Sequence, residues 1–396
     1  MSKAWVGVDA GKGQHWALVI DVEGRILRSR PVANDQTAIG ELLAEVSGLA
    51  DELVWAVDLS NGCTALLLAL LWANHQQVVY VPGRAVNRAA DGYPREGKTD
   101  ARDARVIADQ ARLRRDFAPL APTPELVADL RVLTGYRQDL TGDRTRMVAR
   151  LRQHLTAIFP ALERALDFTH LGPLVLVTRW QTPQAIRQAG TEVITAWLRA
   201  HHVPKAAVLA RTALAAAEQQ TVRLPAEQLT AQVSAELAGE LLALRRRVKE
   251  LDKLLGTRLA AHPQAAILTS LPGMGVLLAA EFAVAVKDLA NFASPDHLAA
   301  YAGLAPVPHD SGRRVNNLHR PHRYNRDLLW VFYVSALIAA QRPGASRDYY
   351  QRKRREGKHH IQAVLALARR RVNVLWALLR DNRPFTLTPP ATPSTT

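Results

Sequence analysis

Two aspartates three residues apart, Asp100 and Asp103 in "GKTDARDA" (97–104), open what reads as a helix. Capping is the local explanation, because Asp is favoured at the N-cap and in the first turn. Positions i and i+3 also share a helix face, so the two carboxylates could serve as half of an oxygen-ligand site. Such a site needs partner acids, and two stand at the ends of apolar runs: Asp9 in "AWVGVDAG" (4–11) and Asp58 in "LVWAVDLS" (53–60). Alone, an Asp at a strand end reads as a turn residue or cap. Together, four carboxylates at one edge would repel unless a cation joined them. Mg²⁺ (or Mn²⁺) suits oxygen ligands, and paired ions can stabilise both the attacking and the leaving oxygen of a phosphoryl transfer. Asp91, Glu96 and Asp109 lack a strand-end or same-face position and read as surface charges.

The elements that would position these acids are legible. Residues 4–11, 15–24 and 25–34 read as three strands. Ile39, Leu42, Leu43 and Val46 take helical spacing, and 53–60 is a buried strand. A helix over 64–76, a strand over 78–83, a loop, and the helix near Asp100 follow. Three consecutive strands and then alternating helix and strand is the succession of an RNase H-like (RuvC-like) α/β domain, whose first and fourth strands are neighbours. Asp9 and Asp58 would then lie side by side.

The remainder reads as mostly helical. Residues 124–162 form one long helix carrying Arg131, Arg137, Arg144, Arg146, Arg150 and Arg152, either a solvated face or a phosphate-tracking stripe. Leu229, Val233, Leu237, Leu241, Leu244, Val248, Leu251, Leu255 and Leu259 make a coiled-coil seam, within the chain or between chains. "TSLPGMGVLLAAEF" (269–282) resembles a helix-hairpin-helix turn, and "PFTLTPPATPSTT" (384–396) a disordered tail. The expected divisions are an α/β domain over 1–120, a helical coiled-coil region over 121–262, a C-terminal domain over 263–383 and the tail over 384–396.

Charge is unevenly spread over the 396 residues. Residues 1–100 balance to −3 and residues 301–396 to +12, with +15 overall. A basic C-terminal third implies a polyanionic partner, most simply nucleic acid. "SRDYYQRKRREGKHH" (346–360) sets Tyr349 and Tyr350 beside Arg352, Lys353, Arg354 and Arg355, a composition suited to backbone contact with some base stacking. The longest apolar run, "ALLLALLWA" (65–73), is far short of the ~20 residues of a membrane span, and the opening residues lack a signal-peptide pattern. The single Cys63 excludes an internal disulfide and a Cys-based zinc site. A cytoplasmic protein is the expectation.

Asp9 in "VGVDAGK", Asp58 in "AVDLSNG" and Asp100 and Asp103 in "KTDARDA" resemble the DEDD-type (Piv-like) transposases of the insertion-sequence-110 class. "LTSLPGMG" (268–275), "FASPDHLAAYAGLAPVPHDSG" (292–312) and "YNRDLLWVFYVSAL" (324–337) resemble that family's C-terminal transposase domain. The resemblance implies DNA cutting and rejoining with Mg²⁺ (or Mn²⁺) at Asp9, Asp58, Asp100 and Asp103, and with Ser311 of the "SG" motif as nucleophile. It also implies an element-encoded guide RNA and a homo-oligomer, dimer or tetramer. One departure is Asp58, where the family commonly has Glu. Arg313, Arg314, Arg320 and Arg323 around Ser311, with Arg352, Lys353, Arg354 and Arg355, are the expected nucleic-acid contacts. Two other functions fit parts of the pattern: a junction-resolving nuclease using water, and an actin- or sugar-kinase-like ATPase. For the ATPase, "DLSNG" (58–62) is a poor phosphate loop.

Overall fold

The computed structural model describes residues 2–59, 62–93, 99–117, 119–308, 310–311, 317–319 and 321–386. The chain separates into two compact units, residues 1–123 and 124–396.

In the first unit, β1 (Lys3–Asp9), β2 (Gln14–Ile20), β3 (Ile26–Ala33), β4 (Glu52–Val57) and β5 (Gln77–Tyr80) form one sheet in the order β3-β2-β1-β4-β5. The β1–β2 and β2–β3 pairs are antiparallel; β1–β4 and β4–β5 are parallel. The sheet is covered on both faces, which is why β1 and β4 read as near-continuous apolar runs. Val6, Val8, Ala17 and Val19 pack with α1 (Gln36–Ser47) and α2 (Ala65–Ala73). Leu18 and Ile20 turn to the other face and meet Ala104 and Ala108 of α4 (Asp100–Leu113). The period-2 alternation of strand side chains divides these sets.

The stretch expected to be a loop before Asp100 contains α3 (Gly83–Ala90). Val86 is its only buried residue, so no apolar stripe announces it. Tertiary hydrogen bonds hold its end instead: the Arg102 guanidinium donates to Ala90 O at 2.7 Å and to Tyr93 O at 3.3 Å. Asp109, expected as a surface charge, is half-buried. It accepts from the Tyr93 hydroxyl and pairs with Arg112 at 2.7 Å, and Arg112 in turn donates to Val22 O at 3.1 Å. Burial, reinforced by Asp109, pushes the Tyr93 phenol up to about 12.

The second unit is mostly helical. Its long members are α5 (Glu125–Ile158) and α10 (Glu227–Ala260); between them lie α6 (Pro160–Ala165), α7 (Leu171–Val177), α8 (Pro183–Ala200) and α9 (Ala206–Glu218). The helix expected over 124–162 breaks at Phe159, which has φ −148° and ψ 63°. Pro160 disfavours helical backbone at the residue before it. Arg137 pairs with Asp252, Arg258 with Asp129 at 3.7 Å, and Arg247 stacks over Tyr136 at 5.2 Å. Asp129 near the start of α5 meets Arg258 near the end of α10, and Tyr136 and Arg137 further along α5 meet the earlier Arg247 and Asp252, so α5 and α10 run antiparallel within the chain. Leu241, Leu251, Leu255 and Leu259 are buried as the leucine spacing suggests, but Leu229 is 65% exposed. Near that end the small Ala231, Ser234 and Ala238 face inward instead. One end of the helix pair (Leu151, Leu155, Ala238, Leu241) enters a core with α6–α9.

The other end (Leu130, Leu255, Leu259) enters a second core. This core is completed by α11 (Ala265–Ser270), α12 (Val276–Val286), α13 (Pro295–Tyr301), α14 (Arg326–Gln341), α15 (Ala345–Arg355) and α16 (His360–Arg380). Gly273, at φ +83°, turns the chain between α11 and α12; a Cβ there would meet Ser335 O at 2.5 Å. The buried Arg371 pins the same turn, donating to Pro272 O at 2.6 Å and Ser335 Oγ at 2.7 Å. A two-residue hairpin, β6 (Val307–Pro308) with β7 (Leu318–His319), stands between α13 and α14. Among the described residues no helix is long and apolar enough to cross a membrane.

Candidate active site

Asp9 is the last residue of β1 and Asp58 follows the last residue of β4. The strands are parallel neighbours with Val8 opposite Val57, so the two acids leave adjacent strand ends side by side. The helix that must bring Asp100 and Asp103 to the same edge lies directly on β1. A Cβ on Gly7 would sit 2.1 Å from Ala104 O and 2.5 Å from Ala108 N. Gly7, two residues before Asp9, and Ala104, one after Asp103, therefore set how closely helix and strand ends approach. Small residues at both positions were the available sequence signal, and it stands out only once the crossing is known.

Neither acid is the N-cap of α4. Thr99 is the N-cap of α4 and its side chain accepts from Arg102 N at 3.3 Å. Asp100 is exposed in the first turn and Asp103 half-buried, both at the positive end of the helix dipole.

Asp58 carries the clearest electrostatic signature. Burial raises its carboxyl pKa, the Asp103 charge adds to that, and the backbone N–H groups of Asp58 and Ala10 oppose it. Its Oδ1 is buried without a hydrogen-bond partner among the described residues. A buried acceptor facing another carboxylate is costly unless a cation or proton joins them, and the all-oxygen donor set suits a hard divalent ion. The Asp103 charge acts on Asp58, and Asp9 ends the neighbouring strand. Among the described residues no three His, Cys, Asp or Glu side chains are drawn together tightly enough to enclose an ion.

Around this edge are polar contacts that sequence reading passed over. At the end of β3, Asn34 Nδ2 donates to Lys12 O at 3.2 Å and to Cys63 O at 3.0 Å, and Cys63 Sγ lies 3.8 Å from Ala10 O. Nothing in residue type or periodicity marks an Asn after a strand as more than a turn former.

Ser311 belongs to the second unit. It is exposed in the segment joining β6 to β7, three residues past Pro308. The Asn317 N–H donates to Asp310 Oδ1 at 2.9 Å across this loop. Arg323 is exposed just before α14; Arg313, Arg314 and Arg320 lie outside the described residues. On α15, Arg352, Arg354 and Arg355 are exposed, and Lys353 pairs with Glu356 at 2.6 Å. The tyrosines expected to stack on bases are half-buried against the helical core. Tyr349 lies beneath Arg352 at 4.9 Å, and the Tyr350 hydroxyl meets His360 Nδ1 at 2.8 Å. Their rings pack inward because α15 has no other large apolar residues to seat it.

Two family models match the chain, one described as "Transposase" over residues 6–160 and one as "Transposase IS116/IS110/IS902 family" over residues 265–351. The insertion element IS116 44.8 kDa protein of Streptomyces clavuligerus is 53% identical over 391 residues, 98% of either chain. The chain belongs to the IS116/IS110/IS902 transposase family. The insertion element IS900 42 kDa protein of Mycobacterium paratuberculosis is 49% identical over 96% of both chains. The pilin gene-inverting protein of Moraxella bovis is 32% identical over 124 residues, 31% of this chain and 38% of that one. The first family match includes all four candidate acids and the second includes Ser311.

Proposed function

We propose that this protein is the transposase of an insertion sequence and that it cuts and rejoins DNA. Its sheet is read as an RNase H-like domain in which Asp9, Asp58, Asp100 and Asp103 hold Mg²⁺ or Mn²⁺. The observation that carries this reading is the orphaned Asp58 Oδ1, on a strand end beside Asp9 and under the charge of Asp103. When bound, the divalent ion supplies charge stabilisation for oxygens at the reacting phosphorus. The acids fix its position, and α4 presents Asp100 and Asp103 from its positive end.

Ser311 is the proposed nucleophile. Its exposure in the β6–β7 loop supports access to a phosphodiester. The new serine-oxygen–phosphorus bond replaces one sugar-oxygen–phosphorus bond, and the displaced sugar oxygen takes up a proton. Phosphoester bonds are conserved in number, so rejoining needs no nucleotide hydrolysis. The basic residues Arg313, Arg314, Arg320, Arg323, Arg352, Lys353, Arg354 and Arg355 are assigned to phosphate contacts. Resemblance to the insertion-sequence-110 class adds an element-encoded guide RNA, a homo-oligomer and action in the bacterial cytoplasm.

The test is a denaturing gel of protein incubated with its element's end DNA, guide RNA and Mg²⁺. A protein–DNA adduct is expected in the parent and absent from Ser311→Ala, with DNA binding retained. Free nicked DNA from Ser311→Ala at the parent rate would make water the nucleophile and the chain a metal-dependent nuclease.

A further inference from the structure

Asp9 ends β1 and Asp58 follows β4, and the chain leaves the sheet after each of them. Ala10–Gly13 follow Asp9, Leu59 follows Asp58, and a short 3-10 turn at Gly62–Thr64 precedes α2. Asn34, from the end of β3, joins Ala10–Gly13 to the 3-10 turn. Its backbone N–H donates to Gly13 O at 3.0 Å. Its side-chain amide divides two hydrogens between Lys12 O on the first loop and Cys63 O on the second, at 3.2 and 3.0 Å. The Cys63 thiol adds a second, weaker tie to Ala10 O at 3.8 Å. The Thr64 hydroxyl donates to Leu59 O at 3.4 Å. His15, 2% exposed, is buried near the Asn34 side chain.

We infer that Asn34 is a positioning residue for the acid cluster, a clamp whose two amide hydrogens hold the loops after Asp9 and Asp58 at one separation. It touches neither acid and acts through the loops that carry them. The inference rests on the proposed role of Asp9 and Asp58. The requirement is for a donor pair, since both acceptors are backbone carbonyls. Asp at this position has the same shape but sets a carboxylate oxygen against two carbonyl oxygens, so the clamp becomes a wedge. Contacts that orient ligating groups typically weigh about 10–100-fold in metal affinity.

Mn²⁺ binding by full-length protein, followed by the loss of the free-ion electron paramagnetic resonance signal, tests this without turnover. The parent, Asn34→Asp, Asn34→Ala and Asp58→Asn are compared, with circular dichroism and metal-free melting as controls on folding. Asn34→Asp is expected to weaken Mn²⁺ binding about tenfold or more, and Asn34→Ala by less, because it removes the donors without adding repulsion. Both should keep the parent's metal-free spectrum. Unchanged Mn²⁺ affinity in a folded Asn34→Asp, with Asp58→Asn deficient, overturns the clamp and leaves the acid site standing. Equal Mn²⁺ binding by the parent and Asp58→Asn overturns the acid site itself. Should Asn34→Asp fail to fold, Asn34→Ala decides, and parent-like affinity there overturns the clamp.

Discussion

In the proposed mechanism the chemistry turns on Asp58. Its side chain is shorter by one methylene than the Glu usual in the resembling family, and its Oδ1 is buried without a partner. Asp58→Glu is expected to retain measurable strand cleavage, whereas Asp58→Ala should lose it by 10²-fold or more, the scale of removing one charge-stabilising group. Single-turnover cleavage of end DNA compares them, and equal loss in both would show that the strand ends leave no slack. Gly7 is the complementary case, a position where nothing can be added. A Cβ there would meet the α4 backbone at 2.1 Å, which no rotamer change relieves. Gly7→Ala is expected to cost about 1–3 kcal/mol, as overpacking does, and to move Asp103 away from Asp58. Denaturant unfolding reads the first effect; an unchanged midpoint would mean that α4 does not sit on β1 as described.

Among the elements, α12 carries an internal conflict. Glu281 lies on an otherwise apolar helix, and burial pushes its carboxyl up to about 7 from 4.5. Asp327 at the start of α14 pushes in the same direction, and Arg137 of α5 opposes them while already paired with Asp252. The folded protein therefore holds a proton that the unfolded chain releases near pH 4.5. Its stabilising contribution is complete below about pH 4.5, declines between 4.5 and 7, and is gone above. Glu281→Gln removes the titration. The variant should exceed the parent by roughly 1–2 kcal/mol at pH 8 and match it near pH 5, once exposure is allowed for. Urea midpoints at the two pH values check this, and parallel profiles would show that Glu281 stays ionised. Secondary structure itself was legible where burial is periodic. The five strands, α1, α2 and the two 34-residue helices follow from apolar spacing. α3 was not, because one buried Val86 and two hydrogen bonds from Arg102 hold it, and none of these is periodic.

Across the whole chain, charge is segregated: residues 1–100 balance to −3 and residues 301–396 to +12. Phosphate contact is the reading for that excess, and α15 concentrates it. Reversing Arg352, Lys353, Arg354 and Arg355 to Glu should weaken nucleic-acid binding and flatten its salt dependence. Each lost phosphate contact removes roughly 0.7–0.9 from the slope of log affinity against log salt. Fluorescence anisotropy at several salt concentrations measures this, and an unchanged slope would make α15 a solvated helix end. With Tyr349 and Tyr350 turned inward, sequence preference from this helix should be small. By itself, the sequence determined the elements with periodic burial, the placing of Asp9 and Asp58 at strand ends, and the i, i+3 pairing of Asp100 and Asp103, because these depend on local periodicity and spacing. Only the tertiary structure decided that Thr99 caps α4 in place of Asp100, that Gly7 lets α4 lie on β1, that Asp58 feels Asp103, and that Asn34 ties Lys12 to Cys63. Each of these joins groups distant along the chain or depends on an approach of backbones, and a sequence does not encode such distances in any local pattern.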